Sequence, residues 1–448
     1  MTIKNNLIKL TVVFIAGVLT SHNVAAQTKN EFSVKQAVDY GLKNAVEVKN
    51  ELIDIQNQQQ VNKEITSQAL PQINGSAGMT DYLKIPVTPV PASFFNTTAP
   101  PGAIEAVPFA LKYNSNFGVS LSQLLFDGRV FIGLQARATA LNYYSAKAEV
   151  TKETIRANIY KIYYQLVVGQ KQLASVQANV NDITNQLHDT KEIYKNGFAE
   201  KLDIDKLTVQ LNNLETQALS VQNQLAAGNA SLKFLINMPQ NEELVLTDTL
   251  SDDELKSNIL DSGYNYNDRK DIQLYAANVK LQKYNVKQYE LNRIPTLSAM
   301  ASYSKTAYAS DLSSVWDTWY PASYIGLNLN VPIFSGFYKN SKIQEAKYSL
   351  QQANNSLAQL KSSVDNDVAQ ARISMKTALA TIDQQKQNIL LAYSVFNSTK
   401  LKYDQGLGSN QEIYDAQTQL EVAQNNYYSA LYDAIIAKIN YLQAVGKL

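Results

Sequence analysis

The sequence predicts a mainly α-helical protein with a smaller β portion, in which two long helical hairpins are duplicated and each follows a pair of strands. Three observations support this fold class. An apolar seam over residues 155–194 recurs over residues 364–403. Proline does not occur from 127 to 238 or from 333 to 448, so neither stretch contains the residue that most often ends a helix. Residues that alternate between apolar and polar precede each seam, as in a β-strand.

The N-terminus predicts a secretory signal peptide over residues 1–26. Lys4 and Lys9 precede an apolar run that extends from Leu10 to Leu19. Val24-Ala25-Ala26 then forms a small-residue cleavage site. We therefore expect an exported chain that begins near Gln27. The full sequence has a formal net charge of +1, which becomes −1 when Lys4 and Lys9 leave with the signal peptide, and this near-neutral charge predicts no nucleic-acid partner. The sequence contains no cysteine, which rules out disulfides and thiolate metal sites.

Histidine usage argues against an enzyme. Of the two histidines, His22 lies in the predicted signal peptide, which leaves His188 alone in the mature chain. A Ser-His-Asp triad or a histidine metal cluster is hard to build from one histidine. The sequence therefore predicts no catalytic residues, no cofactor and no metal, and we interpret His188 as a solvated helix residue.

Four strands are predicted, in two pairs. The two that directly precede the hairpins alternate apolar with small polar residues: Tyr113, Phe117, Val119 and Leu121 in one, and Ile325, Leu327, Leu329 and Val331 in the other. Their partners, Ile73–Leu83 and Leu297–Tyr303, each follow a proline. This alternation is typical of a transmembrane barrel strand, although a soluble sheet gives a similar pattern. Known membrane barrels need about eight strands, so we expect the chain either to oligomerise or to pack a soluble sheet.

The helical seams predict coiled-coil packing. Apolar residues recur with alternating spacings of four and three, which brings long helices together in a left-handed supercoil. Each long helix should end at a glycine turn, Tyr194–Gly197 in one copy and Tyr403–Gly406 in the other, and a return helix should follow. An arm of roughly 65 residues would reach about 100 Å.

In both copies the order is helix, proline, strand, loop, strand, corner and long hairpin, and this order resembles the TolC family of outer-membrane efflux proteins. The most specific motif is the second turn, Tyr403–Gly406, which precedes a stretch similar to the "DxLDAQ" sequence of the family. The strand pairs are bounded by further matching motifs: Leu70-Pro71, Ile294-Pro295, Leu125-Phe126-Asp127-Gly128 and Ile333-Phe334-Ser335-Gly336.

The resemblance implies a homotrimer in which each chain supplies strands to one barrel in the outer-membrane lipid and helices to a periplasmic tunnel. It also implies a periplasmic adaptor protein and an inner-membrane pump of the RND, ABC or MFS type as partners. The chain would then consist of a first repeat over 27–238, an equatorial segment over 239–268 and a second repeat over 269–448.

The resemblance further places a periplasmic gate at the helical turns. Glu412 and Asp415 match the acidic ring of the family, Asp203 lies on the opposing hairpin, and Tyr403 matches a linking tyrosine. Gly408 stands where the family has a linking arginine, so this link is missing here. The tip turns would be formed by Gly197, Gly406 and Gly408.

Two roles remain open for these carboxylates. Three symmetry copies of a carboxylate around one axis would narrow a pore and favour cations. Alternatively, carboxylates in a first helical turn are stabilised by the helix dipole, and Ser409 followed by Glu412 fits a capping box.

The sequence thus predicts a passive outer-membrane exit duct of a tripartite efflux or type I secretion system, with a long periplasmic extension. The alternative is a secreted coiled-coil scaffold or adhesin that does not conduct. Strand alternation favours the duct, because a scaffold has no reason to keep Asn114, Asn116 and Asn328 on one face.

Overall fold

The computed structural model describes residues 29–249 and 263–448. The predicted signal peptide lies outside the described residues, as does the part of the equatorial segment from 250 to 262. The helices are α1 (Val34–Asn44), α2 (Val46–Ser67), α3 (Gly128–Lys195), α4 (Lys201–Leu235), α5 (Lys270–Leu291), α6 (Tyr338–Asp404) and α7 (Asn410–Ala444). The strands are β1 (Lys29–Phe32), β2 (Gln72–Asp81), β3 (Val87–Pro91), β4 (Ile104–Pro108), β5 (Tyr113–Phe126), β6 (Glu243–Leu246), β7 (Thr296–Ala309) and β8 (Tyr320–Asn330).

The predicted mainly helical fold with duplicated hairpins is confirmed. The hairpin α3–α4 pairs helices of 68 and 35 residues, and the hairpin α6–α7 pairs helices of 67 and 35 residues. The four predicted strands correspond to β2, β5, β7 and β8. None of the helices within 29–249 and 263–448 is both long and apolar enough to cross a membrane.

The chain forms two compact units, and each takes segments from both predicted repeats. One comprises the described residues up to Glu51, Ala148–Lys270 and Ser362–Leu448, and the other comprises Leu52–Lys147 and Asp271–Lys361. The division of the sequence into repeats and an equatorial segment stays a prediction.

The second unit contains an antiparallel sheet in the order β2-β5-β7-β8. Its register aligns the apolar and polar positions of successive strands into separate rows. One row crosses the sheet as Ile73, Leu121, Ala301 and Ile325, and the next row as Asn74, Ser120, Ser302 and Tyr324. Because side chains alternate across a strand, these rows lie on opposite faces. The sheet therefore has one largely apolar face and one largely polar face.

Between β2 and β5 the chain forms an extra antiparallel hairpin, β3–β4, within the segment that the sequence predicts only as the loop between two strands. Val87 pairs with Pro108 and Pro91 with Ile104. The prolines lack a backbone N–H, which makes such a hairpin a poor template for further strand pairing.

The first unit, which we call the helical unit, is held together by apolar clusters along the predicted seams. Ile155, Ile159 and Tyr163 of α3 pack with Leu232 of α4 and with α1, beside the parallel pair β1–β6. The β6 strand contains Leu244-Val245-Leu246 and pairs Lys29 with Glu243. This pairing joins the start of the described chain to the segment that follows the first hairpin.

Candidate functional site: the hairpin tips

Both hairpins turn through the same backbone motif. After α3, the Gly197 N–H donates to the Tyr194 carbonyl at 2.9 Å and the Phe198 N–H to the Ile193 carbonyl at 3.1 Å. After α6, the Gly406 N–H donates to the Tyr403 carbonyl and the Leu407 N–H to the Lys402 carbonyl, both at 2.9 Å. These pairs define a Schellman motif, which satisfies the last carbonyls of a helix.

The two glycines are required by the backbone of these turns. Gly197 has φ of 80° and Gly406 has φ of 71°, and this left-handed region is costly for any residue with a Cβ atom. The residue after each glycine, Phe198 or Leu407, is large, apolar and exposed. Each tip therefore presents one apolar side chain to its surroundings.

Gly408 is small for a different reason. A Cβ atom at this position would lie 3.1 Å from the backbone nitrogen of Tyr403, which is closer than ordinary van der Waals contact. A side chain of any kind, arginine included, would require the turn to shift. The turn geometry thus disfavours at this position the linking arginine that the resemblance implies.

Asp203 acts at the start of α4. The Glu200 N–H donates to Asp203 Oδ2 at 3.2 Å, and the Glu200 side chain in turn accepts from the backbone of Asp203 in a reciprocal capping box. The side chain of Asp203 is half-buried. Its carboxylate therefore stabilises the helix start. Sequence reasoning missed Glu200 as the cap, because the recognised signal is a serine or threonine three positions before a glutamate or glutamine.

Glu412 occupies the equivalent position in α7 but is arranged differently. Its backbone N–H donates to the hydroxyl of Ser409 at 3.2 Å, which is half of the expected capping box. The carboxylate of Glu412 is exposed and accepts no hydrogen bond from the part of the chain that the structure describes. It is thus available to solvent, ions or another chain.

Asp415 joins a polar chain that links the two hairpins. The Gln411 amide donates to Asp415 Oδ1 at 2.9 Å, and Lys206 Nζ of α4 donates to Gln411 Oε1 at 3.2 Å. All three side chains lie at the surface of the helical unit near the tips. The structure therefore brings Asp415 and the start of α4, where Asp203 lies, into one neighbourhood.

Tyr403 packs within its own hairpin. Its ring is half-buried against the cluster of Phe396, Ile413, Ala416 and Leu420, which joins the end of α6 to the start of α7. Its hydroxyl has no hydrogen-bond partner among the described residues, so any linking role of that hydroxyl would need another chain.

The first tip also carries an ion pair. Lys195 Nζ lies 2.6 Å from Glu192 Oε1, and this hydrogen bond holds the pKa of Glu192 below its usual range. Both side chains are exposed, so the pair contributes little stability. It compensates one acidic charge beside the first turn.

Comparison with known proteins finds similarity to outer-membrane efflux and secretion proteins. Residues 266–447 match the family model described as "Outer membrane efflux protein". The chain is 20% identical over 334 residues to the outer membrane protein TolC of Vibrio cholerae, covering 74% of this chain and 76% of that protein. It is also 20% identical over 334 residues to the proteases secretion protein PrtF of Dickeya chrysanthemi, covering 73% and 70%. The solved structure of CusC superposes with a TM-score of 0.76 at 17% identity and covers 92% of both chains.

Proposed function

We propose that the chain is a member of the TolC family of outer-membrane efflux proteins and that it is the outer-membrane exit duct of an efflux or type I secretion system. It is an outer-membrane protein, and its family is one of channels and not a class of enzyme. The observation that carries the proposal is the sheet β2-β5-β7-β8, with one apolar and one polar face.

The two faces of the sheet suit a wall between lipid and water. Apolar side chains of β8, such as Ile325 and Leu327, are highly exposed, which would be costly in water and is favourable against lipid. The opposite rows carry asparagine, serine and glycine, which suit a water-filled lumen.

The edges of the sheet support oligomerisation. Within the described residues β2 and β8 are edge strands, and their outer backbone groups have no partner strand. Unpaired backbone groups are not tolerated in lipid, so a membrane-embedded sheet must close on itself. Four strands are too few, and we propose a homotrimer in which β2 of one chain pairs with β8 of the next.

The tips are the proposed contact with periplasmic partners. PrtF is named as a proteases secretion protein, and the family resemblance implies a periplasmic adaptor and an inner-membrane pump as partners. Exposed Phe198 and Leu407 offer the adaptor an apolar contact at each tip. The pump, of the RND, ABC or MFS type, would supply the energy and select the substrate.

The gate proposal gives separate roles to the three carboxylates. Glu412 and Asp415 are exposed and line the constriction in the closed trimer, whereas Asp203 is engaged in its helix cap. Tyr403 supports the tip through packing. Gly197, Gly406 and Gly408 set the shape of the turns.

Conductance measurements test both the duct and the gate. Purified protein in a planar lipid bilayer should conduct with cation preference, and the double substitution Glu412→Gln and Asp415→Asn should reduce this preference. Asp205→Asn is the matched control, because it removes an exposed carboxylate of α4 that lies just after the first turn and outside the proposed ring. A lack of conductance would refute the duct, and unchanged selectivity in the double variant would refute the gate.

A further inference from the structure

A cavity of about 390 Å³ lies in the unit that contains the sheet, beside the point where β5 ends and α3 begins. Residues of α2, α3 and α5 line it, together with Asp127 between β5 and α3. Among the described residues, the charged members of the lining are Asp127, Arg129 and Arg137. Cavities of this size are typical of sites for small molecules. We call it the arginine cavity.

Small side chains on α3 create this space. Gly133, Ala136 and Ala140 follow one another at spacings of three and four residues, so they share one face of the helix. A Cβ atom on Gly133 would lie 3.1 Å from Cγ2 of Ile65, so α2 and α3 are in close contact at that level. Ala136 and Ala140 each line the cavity with no more than a methyl group. The space between the helices is therefore set by side-chain size on α3.

Arg129 is paired with a carboxylate. The Asp127 side chain accepts from Nε of Arg129 at 3.1 Å and from Nη2 at 2.6 Å. Asp127 is 6% exposed, whereas the side chain of Arg129 is 46% exposed. Two parallel hydrogen bonds of this kind fix the plane of a guanidinium. The pair cancels one positive charge, and Nη1 of Arg129 keeps no partner among the described residues.

Arg137 is the charge without a counter-ion. Its Nε donates to the Leu134 carbonyl at 3.1 Å and its Nη1 to the Thr66 hydroxyl at 2.7 Å, and both acceptors are neutral. Its side chain is half-buried, and it forms no ion pair within residues 29–249 and 263–448. A guanidinium has five N–H donors, so three of them have no partner there. The cavity therefore carries a net formal charge of one positive unit.

Contacts with α2 hold Arg137 in place. The Thr66 hydroxyl that accepts from Arg137 donates in turn to the Asn62 carbonyl at 2.7 Å. Nδ2 of Asn62 donates to the Arg137 carbonyl at 3.2 Å, and Asn62 is only 8% exposed. The guanidinium is thus fixed before any ligand arrives, which lowers the entropic cost of binding.

The chemistry of the cavity favours an anion. A half-buried cation that has no counter-ion loses hydration without regaining a charge partner, and a bound anion removes this penalty. The planar guanidinium presents its donors in a geometry that matches the oxygens of a phosphate group. The unpaired edges of Arg129 and Arg137 therefore offer donors to phosphate oxygens.

The position of the cavity favours a lipid as the source of the phosphate. Phe126 ends β5 and is 42% exposed, and Phe131 near the start of α3 is 49% exposed. Their ring centroids lie 5.8 Å apart. Exposed aromatic residues at the ends of membrane strands are typical of the interface where lipid headgroups lie.

We propose that the arginine cavity binds a phosphate group through Arg137 and Arg129, and that this phosphate belongs to a phospholipid headgroup at the periplasmic surface of the outer membrane. Free phosphate has the same chemistry at the site. The phosphate site rests on the cavity alone, whereas the lipid source also rests on the membrane position that we propose for the sheet.

Isothermal titration calorimetry tests the site on the full-length protein, purified in non-ionic detergent and freed of lipid. The probes are dihexanoylphosphatidylglycerol, inorganic phosphate and dihexanoylglycerol, which lacks the phosphate. Dihexanoylphosphatidylglycerol should bind saturably above the background of detergent alone, and dihexanoylglycerol should not. Arg137→Gln should weaken the binding at least about tenfold, because a charged donor to the phosphate is lost.

Two further variants separate the site from general effects of charge and folding. Arg293→Gln is the matched control, because Arg293 is an exposed arginine before β7, at the same end of the sheet but outside the cavity lining, and it should bind as the wild type does. If Arg137→Gln does not fold, Ala136→Phe fills the cavity, keeps both arginines and should also weaken the binding. Wild-type affinity in the folded variant would overturn the proposal.

Comparison of the probes identifies the source of the phosphate. Tighter binding of dihexanoylphosphatidylglycerol than of inorganic phosphate supports the lipid headgroup. Equal or tighter binding of inorganic phosphate would retain the phosphate site and overturn the lipid source. Binding in a protein that never conducts would retain the site and refute the duct, and conductance without binding of either phosphate probe would retain the duct and refute the site.

Discussion

Substitution of Gly406 by alanine isolates the energetic role of the tip turn. Gly406 has φ of 71°, and a Cβ atom placed on it would meet no heavy atom within 4 Å. The expected cost is therefore conformational and not steric, and a non-glycine residue in the left-handed region loses about 1–2 kcal/mol. This cost corresponds to a roughly 5- to 30-fold shift in the opening equilibrium of the turn.

Native-state hydrogen exchange measures that shift at one amide. The Leu407 N–H donates to the Lys402 carbonyl at 2.9 Å and is released when the turn opens. In Gly406→Ala its exchange should be roughly 5- to 30-fold faster.

Two further glycines provide controls. Gly197→Ala should accelerate Phe198 by a similar factor, because Gly197 also combines a left-handed φ with open space. Gly263→Ala should change neither amide, because Gly263 has open space without a left-handed φ. Unchanged exchange at Leu407 in Gly406→Ala would refute the reasoning that the glycine is selected for its backbone.

Three other predictions concern packing, charge and a helix end. Tyr403→Ala should destabilise the protein by about 2 kcal/mol, because the ring is half-buried, whereas Tyr403→Phe should unfold at the wild-type temperature. Higher resting conductance in Tyr403→Phe would show that the hydroxyl links two chains. Unchanged conductance would argue against that link. Burial raises the pKa of Glu421, which means that the folded state holds the carboxyl proton more tightly than the unfolded chain does. The stability of the wild-type protein relative to Glu421→Gln should therefore fall as the pH rises from the ordinary glutamate pKa through the raised pKa. A difference in melting temperature that does not depend on pH would contradict this prediction. Gly446→Ala should lower the free energy of unfolding by at least about 2 kcal/mol in a thermal melt, because Gly446 has φ of 73° and a Cβ atom would lie 2.9 Å from the carbonyl carbon of Asp268. Wild-type stability in this variant would show that the helix end adapts to the added Cβ atom.

The helices, turns and strands could be predicted because their signals are local. A spacing of four and three residues defines a packed helix face, and a glycine at the end of the seam marks the turn. Strand alternation predicted the apolar and polar rows that β2, β5, β7 and β8 form. The parallel pairing of β1 with β6 was not predicted, because it joins segments far apart in the sequence through short strands with little pattern.

At the tips, the sequence predicted where the candidate residues lie but not which contacts they make. The sequence and the family resemblance located Asp203, Tyr403, Glu412 and Asp415 beside the turns, but the different engagement of each carboxylate depends on side-chain geometry. Asp203 and Glu412 both occupy the third position of their helices. The carboxylate of Asp203 accepts from the backbone N–H of Glu200, whereas the carboxylate of Glu412 is exposed.

The polar contacts that α7 makes with the first hairpin left a signal in the sequence. Gln417, Glu421 and Gln424 recur with spacings of four and three, beside the apolar positions of α7. Such a stripe alone does not identify its partner helix. Identifying Gln210 and Asn179 as partners required the packing of one hairpin on the other.

Single-particle electron microscopy of the protein purified from outer membranes in detergent tests the central claim most directly. The account predicts a three-fold particle in which strands of three chains close one barrel, with a lumen that continues into the helical part. A solid rod, or a soluble particle without a lumen, would contradict it and would favour a scaffold that does not conduct.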